Sequence, residues 1–223
     1  MRKPIKIRHS LLFAMVVVFL IYYINMVTTA PLFTAQKSGD FEYFTQIDTT
    51  KEPYQQNISN PANFYMDYSI FTVTPLAKYE ISARIVSKRN YTFGWQSRIS
   101  PLDIVFAWGQ IVDDNYSRYV MFNQDSRMYY FNNTNDSPYK PDYIYSHSAN
   151  SHIIPANKNI KKVINSLSVG QKVLMKGYLV RVDGNVTEGH VMWISSLSRN
   201  NQNDRSSEVF YVNKVMIDNR VYE

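Results

Sequence analysis

The densest polar segment of the chain, HSANSH at 147–152, contains two imidazoles and an amide, those of His147, His152 and Asn150. Imidazole ligates zinc and titrates near neutral pH, so the segment is a candidate centre for a metal-dependent hydrolase. A five-residue spacing places the two rings on one face of neither a helix nor a strand. Metal sites need several convergent ligands, and no carboxylate lies in the segment. We therefore predict a loop whose side chains hydrogen-bond the local backbone, and we assign no metal and no cofactor.

Two tryptophans add a further candidate surface. Trp95 and Trp108 lie in the short stretches FGW and AWG, where indoles could line a pocket. The alternative is a pair of core indoles whose N–H groups are satisfied, which is the more common arrangement. Both tryptophans remain candidate ligand-binding residues, in addition to those of the histidine segment.

A third candidate is the aromatic and basic material between residues 116 and 145. Small barrels bind single-stranded nucleic acid through aromatic platforms and a cationic groove. Cross-strand aromatic packing explains the same residues without a ligand. The residues concerned are Arg118, Tyr119, Phe122, Arg127, Tyr129, Tyr130, Lys140, Tyr143 and Tyr145.

An apolar run at 11–27, bounded by Leu11 and Val27, predicts a membrane anchor. With residues 28–32 it reaches the length that crosses a bilayer, and no charge lies between His9 and Lys37. A cleaved signal peptide is the alternative, but Pro31 would directly follow the cleavage site. We favour the uncleaved anchor. Its basic leader, which predicts a cytoplasmic N-terminus, consists of Arg2, Lys3, Lys6 and Arg8.

The leader also explains most of the net charge of +6. Without these four cations, the chain has 20 basic residues, out of 24, and 18 acidic residues. A nearly neutral domain argues against nucleic-acid binding, which needs many phosphate contacts. The chain has no cysteine, which excludes disulfides, thiolate nucleophiles and thiolate metal sites. It also lacks the Walker, GxGxxG, HExxH and GxSxG signatures, so an enzyme is the less favoured interpretation.

We divide the chain into a cytoplasmic leader at 1–10, an anchor at 11–32, a stalk at 33–70 and an extracytoplasmic domain at 71–223. The stalk is rich in turn-forming residues. Its aromatic residues Phe41, Tyr43 and Phe44 are expected to dock it.

Within the domain, the alternation of apolar and polar residues predicts a strand at 79–85. Ser100 followed by Pro101 predicts a short helix that ends at Gly109. A hairpin is expected with strands at 118–122 and 127–131.

Asn157 is expected to cap the clearest helix, which Gly170 ends. Strands at 172–182, 190–196 and 208–217 follow, with a turn at 183–185. The order predicts a mainly β fold with one or two short helices, an OB-like or related small β-barrel behind a transmembrane helix.

Four segments resemble uncharacterised bacterial single-pass membrane-anchored proteins: HSANSHIIPAN at 147–157, VGQKVLMKGYLV at 169–180, SSLSR at 195–199 and SEVFYVNKV at 207–215. The resemblance implies a protein of the bacterial envelope and no particular activity. The layout is also similar to the periplasmic haem chaperone of cytochrome c maturation. That family's His-x-x-x-Tyr motif is absent after His147, His152 and His190, so we do not transfer its function.

The sequence thus favours a non-enzymatic binding or assembly protein in the bacterial inner membrane, with its domain in the periplasm. The expected partners are the lipid bilayer and other envelope proteins. The metal-dependent hydrolase and the single-strand-binding barrel remain the alternatives.

Overall fold

A computed structural model describes residues 6–29, 41–65, 70–114, 117–198 and 207–223. The leader residues Arg2 and Lys3 therefore lie outside the described part of the chain. Helix α1, Lys6–Thr29, comes first, and its large apolar side chains between Leu12 and Ile24 are exposed. Among the residues whose side chains the structure describes, none forms a helix long and apolar enough to span a bilayer.

The rest of the described chain is mainly β, which confirms that part of the prediction. In chain order the elements are β1 (Tyr54–Asn57), β2 (Phe64–Tyr65), β3 (Phe71–Asn90), β4 (Leu102–Ala107), β5 (Val120–Asp125), β6 (Met128–Asn133), α2 (Pro141–Ser146), β7 (Ser148–Pro155), α3 (Lys158–Ser166), β8 (Lys172–Val186), β9 (Gly189–Ile194), β10 (Glu208–Ile217) and β11 (Arg220–Tyr222).

Five of these strands close into a ring. Strand β3 pairs with β4, β4 with β7, β7 with β10, β10 with β8, and β8 returns to β3. Every pair is antiparallel except β7 with β10, which are parallel. Alternate residues of each strand fill the interior, as Ile81, Ile104 and Phe210 do. The main core therefore lies inside the ring.

Helix α3 packs against that core, as its sequence pattern predicts. The Asn157 side chain accepts a hydrogen bond from the Ile160 backbone N–H at 2.9 Å, so the predicted cap is confirmed. Ile160, Val163 and Ile164 are buried in the ring core. At the other end of α3, the Lys88 ammonium donates to three carbonyls, including that of Leu167 at 2.8 Å. A cation at this end also interacts favourably with the negative pole of the helix dipole.

Strands β3 and β8 continue beyond the ring and carry β2 and β9 on their outer edges. Their extensions cover a second apolar cluster that includes Phe71, Val73 and Val182. Trp95 and Trp193 pack against this cluster from the loop after β3 and from β9. The two tryptophans therefore belong to one region outside the ring.

Several local predictions were wrong. The predicted hairpin has its turn at residues 126–127 and not between 122 and 127, and helix α3 ends at Ser166 and not at Gly170. The expected helix at 100–109 is strand β4, whose six residues are all buried. A strand covered on both faces shows a continuous apolar run, so alternation does not reveal it. The expected polar loop at 147–152 is mostly β7, which is also buried throughout. The expected turn at 183–185 lies inside β8, and the chain reverses between Val186 and Gly189.

The segment after residue 40 packs against the ring although the sequence analysis assigns it to a stalk. Phe41 and Phe44 are buried beside Leu174 and Met216, as docking aromatic residues would be. The carboxylate of Glu80 accepts hydrogen bonds from the backbone N–H groups of three successive residues, 42 to 44, at 2.7 to 3.2 Å. Tyr43 is exposed and stacks on the ring of Tyr54.

A substitution at Gly177 tests the close approach of β8 to β10. A Cβ at this position would lie 1.9 Å from the Tyr211 carbonyl oxygen, which the backbone pairing holds in place. We expect Gly177→Ala to destabilise the fold by more than about 3 kcal/mol, the upper end for overpacking. Gly184→Ala is the matched comparison, because its Cβ would meet a side chain, the Phe71 ring, and not the backbone of a paired strand. Urea unfolding should rank the losses in that order, and equal losses would contradict this assignment.

Candidate functional site

The outer faces of β4 and β7 bring an acid and a histidine together. Leu102, Ile104 and Phe106 point into the ring, so Asp103 between them points outward. Asp103 is opposite His152 in the β4–β7 register. Both side chains are buried, at 0% and 3% exposure, although they lie outside the ring. Another part of the chain must therefore cover them.

That cover is the hairpin of β5 and β6, which form a two-stranded sheet of their own. Its turn inserts Arg127, whose Nη1 donates to Asp103 Oδ1 at 2.7 Å. Nη2 donates to the Ser100 carbonyl at 3.0 Å. Gln124 of β5 donates from Nε2 to Asn150 Oδ1 at 2.9 Å. The hairpin is thus joined to β4 and β7 by side-chain contacts.

Two aromatic rings and two backbone contacts complete the surroundings of Arg127. Its Cζ lies 4.2 Å from the Tyr91 ring centroid and 5.3 Å from that of Trp193. The Arg127 backbone N–H donates to the Tyr91 hydroxyl at 2.9 Å, and its carbonyl accepts from Asn150 Nδ2 at 3.0 Å. We call these surroundings, formed by Tyr91, Ser100, Asp103, Asn150 and Trp193, the arginine cage. The cage contacts both the guanidinium and the peptide groups of one residue.

The hairpin turn has an unfavourable backbone. Ser126 and Arg127 have φ values of 50° and 62°, in the left-handed region. A two-residue turn of this kind favours asparagine and glycine, and each L residue with a Cβ in that region costs roughly 1 kcal/mol. The contacts of Arg127 offset this cost.

Two polar atoms beside the ion pair have no hydrogen-bond partner in the described part of the chain. They are Asp103 Oδ2 and His152 Nδ1. The Nδ1 atom lies 2.9 Å from Asp103 Oδ1, but not in hydrogen-bond geometry, so we count this as a close contact only. The His152 ring also packs on Trp193, with centroids 4.7 Å apart. The carboxylate is therefore only partly satisfied.

Two tyrosines near the hairpin remain neutral over a wide pH range. Burial raises the pKa of Tyr91, against the opposing effect of the Arg127 N–H that donates to its oxygen. Burial likewise raises the pKa of Tyr129, whose hydroxyl lies 3.3 Å from Ser148 Oγ. Their hydroxyls therefore act as neutral hydrogen-bonding groups in this region.

His147 belongs to a different cluster. Its ring stacks on Tyr143 with centroids 3.8 Å apart, and its Nε2 lies 3.3 Å from Glu52 Oε1. The Trp108 indole N–H donates to the other carboxylate oxygen of Glu52 at 2.9 Å, and the Trp108 ring is fully buried. Trp108 thus has the arrangement of a core indole with a satisfied N–H.

The predicted site residues therefore divide between two places. Asn150 and His152 meet at the hairpin, and Trp95 joins them through Trp193, with the two indole centroids 5.8 Å apart. His147 and Trp108 lie together beside Glu52. Among the described residues, no group of three or more His, Asp or Glu side chains could hold a metal ion.

The aromatic residues of the 116–145 segment pack mainly with one another. Phe122 and Phe131 face each other across the hairpin, with centroids 6.0 Å apart. Tyr130 is on the opposite, outward face and is 51% exposed. Arg118 Cζ lies 4.9 Å from the centroid of the neighbouring Tyr119 ring, and Nη2 donates to the Tyr119 hydroxyl at 3.0 Å.

The sequence pattern does not connect Asp103, Tyr91 or Trp193 with the histidine segment, and it places Arg127 in a different candidate, the aromatic and basic segment at 116–145. Asp103 carried a usable signal, because it is a single acid in the apolar stretch LDIVFA, and a buried acid needs a partner. The partner, 24 residues away, could not be identified from local pattern.

Comparison with known proteins adds no relative. No family model, curated protein or solved structure matches this chain.

Asp103→Asn tests the buried ion pair. The change keeps the shape but leaves the guanidinium of Arg127 without its counter-charge, so we expect a loss of about 3 kcal/mol in unfolding free energy. Asp125→Asn is the matched control, since Asp125 pairs with Arg89 at an exposed position and should lose less than about 1 kcal/mol. Urea denaturation of the three proteins measures both values. A loss at Asp103 no larger than that at Asp125 would contradict the assigned role.

Proposed function

We propose that the chain is a membrane-anchored, extracytoplasmic binding or assembly protein of the bacterial envelope and that it is not an enzyme. The observation that carries the proposal is the arginine cage on the outer face of β4 and β7. A preorganised set of charged, aromatic and amide groups lies there, on rigid strands.

The position of this face supports the proposal because the ring has the strand order of an OB-type barrel. In such a barrel the second and third strands, with the loops that join strands 1–2 and 4–5, bind the ligand. Here β4 and β7 are the second and third ring strands. Tyr91 lies between the first two ring strands, and Trp193 lies in β9 between the last two. The cage therefore occupies the face and loops that OB barrels use.

The geometry favours binding over catalysis. The Asp103 carboxylate is already engaged by the Arg127 guanidinium, with Nη1 2.7 Å from Oδ1, so it is held as one half of an ion pair. His147 and His152 lie in separate clusters, so the convergent ligands that a metal-dependent hydrolase needs are not supplied by this pair. Two of the aromatic rings that would stack nucleic-acid bases, Phe122 and Phe131, pack against each other within the hairpin.

The membrane attachment rests on the apolar run at 11–27 and on the charge distribution around it. Exposed apolar side chains on α1, such as Phe13, Phe19 and Ile21, need a non-aqueous environment. The basic leader predicts that this end is cytoplasmic, which places the barrel on the periplasmic side. Confinement near the membrane raises the effective concentration of the barrel for its neighbours. The resemblance to bacterial membrane-anchored proteins agrees with this arrangement.

The proposal is tested with the full chain expressed in a bacterial host. A photocrosslinking phenylalanine derivative replaces Tyr130 on the outward face of the hairpin, or Val169 between α3 and β8 as the control. These positions are 51% and 61% exposed. We expect the protein to remain in the membrane pellet after carbonate washing. Irradiation should give discrete crosslinked products from position 130 and not from position 169.

Release of the chain by carbonate would contradict the anchor. Equal crosslinking at the two positions, or none at position 130, would contradict a binding function near the hairpin.

A further inference from the structure

We propose that the arginine cage is a binding site for an arginine residue of a partner polypeptide and that Arg127 is a built-in occupant which the partner displaces. This inference rests on the proposed binding function and names the ligand of that same site. Each group of the cage contacts a defined part of Arg127.

The side-chain contacts select arginine. One guanidinium nitrogen donates to Asp103 Oδ1 and another donates to the Ser100 carbonyl. The two terminal nitrogens of the planar group therefore bind two different acceptors. The guanidinium also lies against the Tyr91 and Trp193 rings. A lysine ammonium is a compact charge that cannot make the divided hydrogen bonds and stack in the same way. The cage should therefore discriminate strongly between the two cations.

The backbone contacts select a peptide. The N–H of Arg127 donates to the Tyr91 hydroxyl, and its carbonyl accepts from the Asn150 amide. A free guanidinium compound has neither group. The ligand class is therefore an arginine within a polypeptide turn, which presents its N–H and carbonyl as Arg127 does.

The cage also has binding capacity that Arg127 leaves unused. Asp103 Oδ2 is fully buried and has no hydrogen-bond partner, because Arg127 engages only Oδ1. An incoming arginine could engage both oxygens in the bidentate arrangement that guanidinium and carboxylate favour. His152 Nδ1, also without a hydrogen bond, borders the same carboxylate.

The occupant is able to leave. Strands β5 and β6 pair with each other in a separate sheet, so no backbone ladder of the ring breaks when the hairpin moves. Exchange of one arginine for another conserves most of the interactions and favours a partner that binds both carboxylate oxygens.

The test uses the full chain in detergent with Arg127→Ala, which removes the guanidinium from the cage. The probe is N-acetyl-arginine-N-methylamide, an arginine with a peptide group on each side, and the lysine analogue is the comparison. We expect the arginine probe to bind with a Kd on the order of 1 to 10 mM and to raise the Tm by about 3 °C at tenfold excess over Kd. The lysine probe should bind at least about tenfold more weakly.

Two controls isolate the cage. Arg118→Ala removes an exposed arginine that lies beside Tyr119, and the Tm of this variant should not respond to the probe. Adding Asp103→Asn to Arg127→Ala should abolish the response. An equal response to the arginine and lysine probes, or a response that survives Asp103→Asn, overturns the proposal.

The unsubstituted chain provides a second measurement if Arg127→Ala does not fold. The arginine probe should compete with Arg127 and accelerate amide hydrogen exchange in β5 and β6, while β8 stays unchanged. No acceleration at probe concentrations up to about 100 mM overturns the proposal, since that is tenfold above the weakest expected Kd. These measurements use purified protein, so they can succeed even if cellular crosslinking refutes the envelope function, and the reverse also holds.

Discussion

The burial of one carboxylate, that of Asp103, determines the arrangement around the candidate site. A charge in this position requires a counter-charge and hydrogen bonds, because its desolvation is costly. Arg127 supplies both, and it can do so only from a hairpin that crosses the outer face of β4 and β7. The hairpin in turn buries His152 and Asn150 and brings Tyr91 against the turn. Breaking such a buried pair is costly, because removal of one partner leaves the other charge buried without compensation.

The ring and the hairpin have different physical origins. Backbone ladders hold the ring, and alternate apolar side chains such as Ile81 and Phe210 fill it. The hairpin has its own two-stranded ladder and depends on side-chain contacts for its position. This division gives a rigid face with a separable cover. A membrane-anchored binding protein could use such a cover to keep a charged cage closed until a partner competes for it.

Much of the fold followed from sequence because local physics is consistent there. Asn157 caps α3, a hairpin forms in the predicted segment although its turn is at 126–127 and not between 122 and 127, and β10 has its predicted bounds. Sequence reasoning failed at β4 and β7, because strands buried on both faces lose the alternation that reveals a strand. It indicated Asn150 and His152, and it placed Arg127 in a separate candidate. It did not indicate Asp103 as the partner of Arg127, since a pair separated by 24 residues leaves no local pattern. The division of the site histidines between two clusters likewise depends on tertiary packing.

Native-state hydrogen exchange of the unsubstituted chain in increasing urea tests the central claim most directly. The claim is that side-chain contacts around Asp103 attach a separately opening hairpin to a closed ring. The account predicts that β5 and β6 amides exchange through an opening with a lower free energy and a smaller urea dependence than β8 amides. Exchange of both groups at one common free energy and urea dependence would show that the hairpin and ring open together, and it would contradict the account.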